Sequence, residues 1–147
     1  ARALRAAAIR QLARREHSLP ELRVKLLRKG HPVAVVAEVV ARLGREGLAS
    51  DERFCEALLT ARSARGYGPV RIQRDLQEKG ITAEAIDRLL DFSSGEWLVQ
   101  LRRVKQKKFG AALPRDPAEW ARQARYLHSR GFTVDQIQRV LNPGAED

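Results

Sequence analysis

Three glycines, Gly30, Gly80 and Gly131, stand fifty and fifty-one residues apart, and the residues around them repeat. Leu26, Lys29, Pro32, Val36, Val39 and Val40 around the first correspond to Leu76, Lys79, Thr82, Ile86, Leu89 and Leu90 around the second. Leu127, Arg130, Thr133, Ile137, Val140 and Leu141 complete the series around the third. A period of this length, kept three times, points to one supersecondary unit used in tandem. The matched residues say what the unit is. A basic residue before the glycine favours the C-terminal end of a helix, the glycine supplies the left-handed backbone that stops it, and Pro or Thr opens the next helix. The apolar residues after each glycine keep helical spacing, so each following helix has one stripe to bury.

Upstream of each pair lies room for another helix, over residues 3–15, 51–65 and 96–108. Phe54, Leu58 and Ala61 fall on one face of the second of these, and Trp97, Leu101 and Val104 on one face of the third. Turn-forming residues interrupt the pattern at 18–20, 66–69 and 110–117, and Asp116 followed by Pro117 is a good helix opening. No strand-period alternation occurs. The expectation is an all-α chain of three tandem three-helix repeats, 1–50, 51–95 and 96–147, the last ending in a loose tail from Asn142. Stacked repeats of this kind give an elongated, curved array.

The chemistry of an enzyme is hard to seat on this chain. It has no glycine-rich phosphate loop, nucleophile elbow or paired-histidine metal helix, and no Cys/His spacing suited to zinc, so no catalytic residue, cofactor or metal is expected. His17, His31 and His128 fall near helix ends, where solvent-facing or capping imidazoles are the simpler reading. Cys55, beside Phe54, reads as a small packing residue. Arg71 with Asp75 and Arg74 with Glu78 are spaced to pair along the surface of one helix as solvated charges. A single cysteine fits a reducing cytoplasm, and the apolar runs are too short to cross a bilayer. No signal peptide is read. With no methionine, the chain is expected to lack the first residues of the natural product.

Charge is the feature that bears on partners. The 28 Lys and Arg exceed the 18 Asp and Glu, for a net charge of +10, which attracts a polyanion. The excess is placed at the ends: residues 1–50 hold eleven basic against four acidic side chains, and residues 96–147 hold ten against six. Arg-rich helices also serve solubility alone, with opposite charges interleaved. Residues 102–115 break that pattern, with Arg102, Arg103, Lys105, Lys107, Lys108 and Arg115 and no acid among them. Arg122, Tyr126 and Arg130 step by four along another helix, with Arg125 adjacent. Trp97 and Trp120 belong to apolar stripes and read as core anchors. Tyr67, on a turn between Gly66 and Gly68, reads as an interface aromatic. The partner-binding candidates, chosen by face and charge, are Arg28, Arg65, Tyr67, Arg71, Arg102, Arg103, Lys107, Arg122 and Arg125.

Arg15-Glu16-His17-Ser18, then Glu21-Leu22, Lys25-Leu26 and Lys29-Gly30, resemble the opening of RecX proteins. Asp51-Glu52-Arg53-Phe54, followed by Arg65-Gly66-Tyr67-Gly68-Pro69, Ile72, Leu76 and Lys79-Gly80-Ile81, resemble that family's central signature. The resemblance runs over essentially the whole chain and is strongest from about Leu12 to Leu90. His31 departs from it, and the third unit matches only in its repeat skeleton. The resemblance implies tandem three-helix repeats and a cytoplasmic, monomeric, non-enzymatic regulator in recombination, DNA repair and the SOS response. It implies a partner, the RecA recombinase and its filament on single-stranded DNA, with filament growth, strand exchange and coupled ATP hydrolysis reduced. Direct contact with DNA phosphates is left open. Two other readings stand beside it. An autonomous basic DNA-binding protein would need a basic reading helix, whereas the residues after Gly80 are apolar and acidic. An enzyme would need a site assembled from separated Arg, His and Glu side chains.

Overall fold

The computed structural model describes residues Ala1–Ala145. Among them are nine α-helices and no strand: α1 (Arg2–Arg14), α2 (Leu19–Arg28), α3 (Val33–Arg45), α4 (Asp51–Ala64), α5 (Pro69–Glu78), α6 (Ala83–Leu89), α7 (Gly95–Phe109), α8 (Pro117–Ser129) and α9 (Val134–Leu141). A short 3-10 turn, Pro143–Ala145, follows. Of the tail read from the sequence, Glu146 and Asp147 lie outside the described residues. The all-α reading holds, and the glycine-centred corners are where the period places them. Gly30, Gly80 and Gly131 have φ of +92°, +82° and +99°.

The helices gather into two compact units. The first comprises Ala1–Leu58 with Leu76–Ala85, and the second Leu59–Asp75 with the described residues from Ile86 on. In the first unit, α1, α2 and α3 close over a core of Leu4, Ala8, Leu22, Leu26, Val36, Val40 and Leu43, with Ala49 beneath it. These residues recur at three and four along each helix, which makes one buried stripe per helix. Ser18 opens α2: its Oγ accepts the Glu21 N–H at 3.0 Å and donates to the Lys79 carbonyl at 2.7 Å. A Cβ placed on Gly80 would stand 2.6 Å from Cβ of Pro20, so the chain at this corner needs both the left-handed backbone and the absent side chain.

In the second unit, α7, α8 and α9 bury Leu101, Leu127, Phe132, Ile137, Val140 and Leu141, with Trp97 and Trp120 packed against them. The two indoles are half-buried, and their N–H groups donate to the Asp91 carbonyl at 3.1 Å and to Asn142 Oδ1 at 3.0 Å. Both read correctly as packing residues. Asp116 caps α8 by accepting the Glu119 N–H at 2.8 Å, and Thr133 with Gln136 forms a reciprocal capping box at the start of α9. The turn before α5 meets the turn before α9 main chain to main chain. Gly68 N–H donates to the Arg130 carbonyl and Val70 N–H to that of Gly131, each at 2.8 Å.

Candidate partner-binding surface

The second unit holds eight of the nine candidate side chains and brings three of them together. The end of α4, one face of α7 and the C-terminal half of α8 enclose a half-open cleft of about 410 Å³, into which Arg65, Arg103 and Lys107 project. Lys108 and Arg130 line it too, so five cations share the cleft, and among the described residues no carboxylate lines it. On α7 the cleft residues Gln100, Arg103, Val104, Lys107 and Lys108 are spaced three and four apart, which puts them on one helical face. Gln100 ties that face to α4 by donating from Nε2 to the Ser63 carbonyl at 2.5 Å, and its Oε1 lies 3.4 Å from Nη1 of Arg103.

Arg130, absent from the candidates, is the best-held of these cations. Its guanidinium lies 4.0 Å from the centroid of the Tyr67 ring and donates from Nη2 to the Arg65 carbonyl. Arg71 covers Tyr67 as well, at 4.5 Å, so the ring is flanked by two guanidiniums. The Nε of Arg130 is buried with no partner among the described residues. Tyr67 is half-buried, and what it touches is Arg71 and Arg130 of its own chain. Its placement on the glycine turn was readable, but its engagement by Arg130 came through a repeat boundary that spacing does not reveal. Lys108 and Arg130 did carry a signal, one in the acid-free run and the other in the four-step series on α8.

The remaining candidates lie elsewhere. Arg122 covers the Phe109 ring at 5.6 Å, and Arg102 and Arg125 are exposed outside the lining of the cleft. Arg28 belongs to the first unit, in a smaller hollow of about 260 Å³ shared with Lys25 and Lys79 and with two acids, Glu21 and Glu78. That hollow is mixed in charge.

Three readings of charged residues require correction. Asp75 is not a solvated helix charge: it is 7% exposed and is gripped by Arg62 at 2.8 Å and Arg71 at 3.2 Å. Burial pushes its carboxyl up, and those two arginines more than reverse this, leaving it below the usual aspartate value. Lys105, counted in the acid-free run, is 4% exposed and turns inward, donating to the Gly110 and Ala112 carbonyls at 2.8 and 2.7 Å. Its position four after Leu101 places it on the buried stripe, where a long basic side chain can cap the loop that follows its own helix. His17 is 1% exposed rather than solvent-facing. Its Nε2 lies 3.0 Å from Lys25 Nζ, and its Nδ1 lies 3.0 Å from the Arg15 carbonyl. A charged Lys25 can only donate, so His17 accepts at Nε2 and carries its proton on Nδ1. Burial holds its pKa below the ordinary histidine value and prevails over the bond to the Arg15 carbonyl and the charge of Glu21, which favour the protonated ring, while the positive charges of Arg15 and Lys25 add to the lowering.

Beside it, Glu21 is buried between Arg15 at 2.5 Å and Lys79 at 3.0 Å. Burial opposes its charge, but hydrogen bonds from both cations prevail and hold its pKa to about 2. Cys55 is buried, and burial with the nearby acids of α4 pushes its thiol up, which suits packing and not nucleophilic chemistry. Among the described residues no group of three His, Cys, Asp or Glu side chains is placed to hold a metal, and no helix is long and apolar enough to cross a membrane.

Comparison with known proteins gives a consistent result. Sequence profiles for the first, second and third three-helix domains of RecX match residues 5–43, 50–90 and 96–141. A protein named Regulatory protein RecX from Halorhodospira halophila is 43% identical over 145 residues, covering 99% of this chain and 90% of the relative. One of the same name from Ectopseudomonas mendocina is 41% identical over 139 residues, covering 95% of this chain and 93% of its own. The crystal structure of RecX from Lactobacillus salivarius superposes with a TM-score of 0.75 over 96% of this chain and 94% of that one. At 20% identity, that match bears on the fold alone.

Proposed function

This chain belongs to the RecX family, a family of regulatory proteins, and on that premise we propose that it binds the RecA recombinase and its filaments on single-stranded DNA. Bound there, it restrains filament growth, strand exchange and the ATP hydrolysis that accompanies them. RecA alone consumes the ATP, and this chain acts by occupying the filament and bridging its subunits. The observation that carries the reading is the cleft of the second unit, where five cations face one opening with no carboxylate among the described residues that line it. A nucleoprotein filament is a large anionic assembly, and such a surface lowers its own electrostatic cost by meeting one.

Arg65, Arg103 and Lys107 are the central contacts in this account, with exposed Arg102, Arg122 and Arg125 beside them and Arg28 on the first unit. Tyr67 and Arg71 contribute by fixing Arg130. The protein acts as a monomer in the cytoplasm, and DNA phosphates within the filament are secondary contacts. An autonomous DNA reader is less well supported, because α6, the helix following Gly80, presents Glu84 and Asp87 along with Arg88.

The test is RecA-dependent ATP hydrolysis on single-stranded DNA with increasing amounts of this protein, paired with binding to bare duplex, bare single strands and RecA-coated strands. Hydrolysis is expected to fall with dose, with RecA-coated strands bound in preference to either bare form. Unchanged hydrolysis, or tight salt-resistant binding to one naked duplex sequence, overturns the reading.

A further inference from the structure

We propose that the cleft of the second unit also binds a compact oligophosphate, such as the triphosphate of a free nucleotide, in the absence of any protein partner. The site is the one invoked above, but this inference stands on the cleft alone and does not require that RecA be the partner.

Charge density supports it. Like charges four apart on a helix repel, and three other arginines of this chain meet a carboxylate at that spacing: Arg42 with Glu46 at 3.2 Å, Arg115 with Glu119 at 3.3 Å, Arg139 with Asp135 at 2.9 Å. Arg103 and Lys107 are four apart on α7 and exposed, and among the described residues no acid lines the cleft they share with Arg65, Lys108 and Arg130. Five cations around one small opening are neutralised most closely by an anion with several charges in a small volume. A peptide offers one carboxylate per side chain, and a nucleic-acid strand one charge per phosphate along an extended backbone. A terminal phosphate carries about two charges near neutral pH, and each phosphate linked behind it adds to the total within a few ångströms.

Size and composition agree. A volume of about 410 Å³ falls within the range of small-molecule sites, so it can enclose a ligand of that size even though its rim can also touch a larger partner. Part of the donor set is fixed before any ligand arrives. Arg130 is held against Tyr67 and the Arg65 carbonyl, and its buried Nε has no partner among the described residues. Gln100 braces α7 against Ser63. The aromatic wall is Tyr126, edge-to-face with Phe109 at 5.5 Å, with Lys108 Nζ 5.1 Å from its centroid.

Calorimetric titration of the full chain, without RecA or DNA and near about 0.15 M salt, tests this with tripolyphosphate, ATP, AMP, orthophosphate, a short polyglutamate and a single-stranded oligonucleotide. Tripolyphosphate and ATP are expected to bind one site per chain, at least about tenfold tighter than AMP, orthophosphate or polyglutamate. Equal affinity for the two assigns recognition to the phosphate chain, and tighter ATP adds a contact of the base with the Tyr126 wall. Arg103→Glu with Lys107→Glu should abolish binding, and the milder Arg103→Gln with Lys107→Gln should weaken it at least about tenfold, with helical content unchanged in circular dichroism. Arg2→Glu with Arg10→Glu, an equal charge change on α1, should leave binding intact. The inference fails if tripolyphosphate binds no tighter than orthophosphate, or if the α1 control loses as much as the cleft variants. It fails too if polyglutamate or the oligonucleotide binds the cleft more tightly than tripolyphosphate, which would assign the site to an acidic protein segment or a nucleic-acid backbone. Since RecA is absent throughout, either result leaves the filament reading to be judged by its own assay.

Discussion

Gly30 and Gly80 occupy equivalent places in the repeat and share nearly the same backbone, with φ of +92° and +82°, yet their surroundings differ. A Cβ on Gly30 meets nothing within 4 Å, whereas one on Gly80 runs into Pro20. Substituting alanine therefore separates two costs. Gly30→Ala carries backbone strain alone and should destabilise the protein by about 1–2 kcal/mol. Gly80→Ala adds a collision with a ring that cannot move aside, so its loss should be larger by about 1–3 kcal/mol. Chemical denaturation of the two variants checks this, and equal losses would mean that Pro20 yields. Gly80→Val should be worse than either. The left-handed corner was legible from Lys79-Gly80 and its repeats. The approach of Pro20 was not, because it joins residues sixty apart whose pairing no local pattern specifies.

The link between α1 and α2 concentrates buried charge, and its response to acid can be stated with its sign. His17 and Glu21 both titrate below their ordinary values, so the unfolded chain binds protons that the folded one refuses. The stability they contribute is complete above those ordinary values and is lost on acidification. For His17 the loss begins as pH falls through the ordinary value of 6.5. For Glu21 it begins near 4.5 and continues towards about 2. Melting temperature should therefore hold steady above pH 7 and decline in two stages below it. His17→Gln should remove the first stage and keep the second, and an unaltered profile would relocate the titration to another group. Glu21→Gln should lower stability at neutral pH by about 1–2 kcal/mol, a figure reduced for the half-exposed state of Arg15 and Lys79. Helix positions and corners were readable here from period and caps. The buried ion cluster was not: Glu21 looks like an ordinary first-turn acid until Lys79, fifty-eight residues later, is seen to reach it at 3.0 Å.

For the molecule as a whole, the governing quantity is the net charge of +10 and where it is spent. Lys105 is used internally, Arg62 and Arg71 on Asp75, and Arg15 and Lys79 on Glu21, while among the described residues no acid opposes the cations of the cleft. If the proposed function holds, inhibition of RecA should weaken more for Arg103→Glu with Lys107→Glu than for Arg122→Glu with Arg125→Glu, because the latter pair lies outside the cleft. Dose curves for ATP hydrolysis compare them, and undiminished inhibition by the first variant would remove the cleft from the account. The acid-free run made α7 a candidate from sequence alone. That Arg65 and Arg130 join it depended on main-chain bonding between two turns, where one residue type lends no signal to the other. Those turns have a further effect. Gly68 and Gly131 approach so closely that a Cβ on Gly68 would stand 2.6 Å from the Gly131 carbonyl oxygen, and a Cβ on Gly131 2.6 Å from Cβ of Arg71. Damage at the two sites should be strongly non-additive, the second substitution doing little once the first has parted the two turns. Heritable change in one repeat is thereby constrained by the other, and a third repeat grafted from a different chain would seat only if it arrived with a glycine of its own.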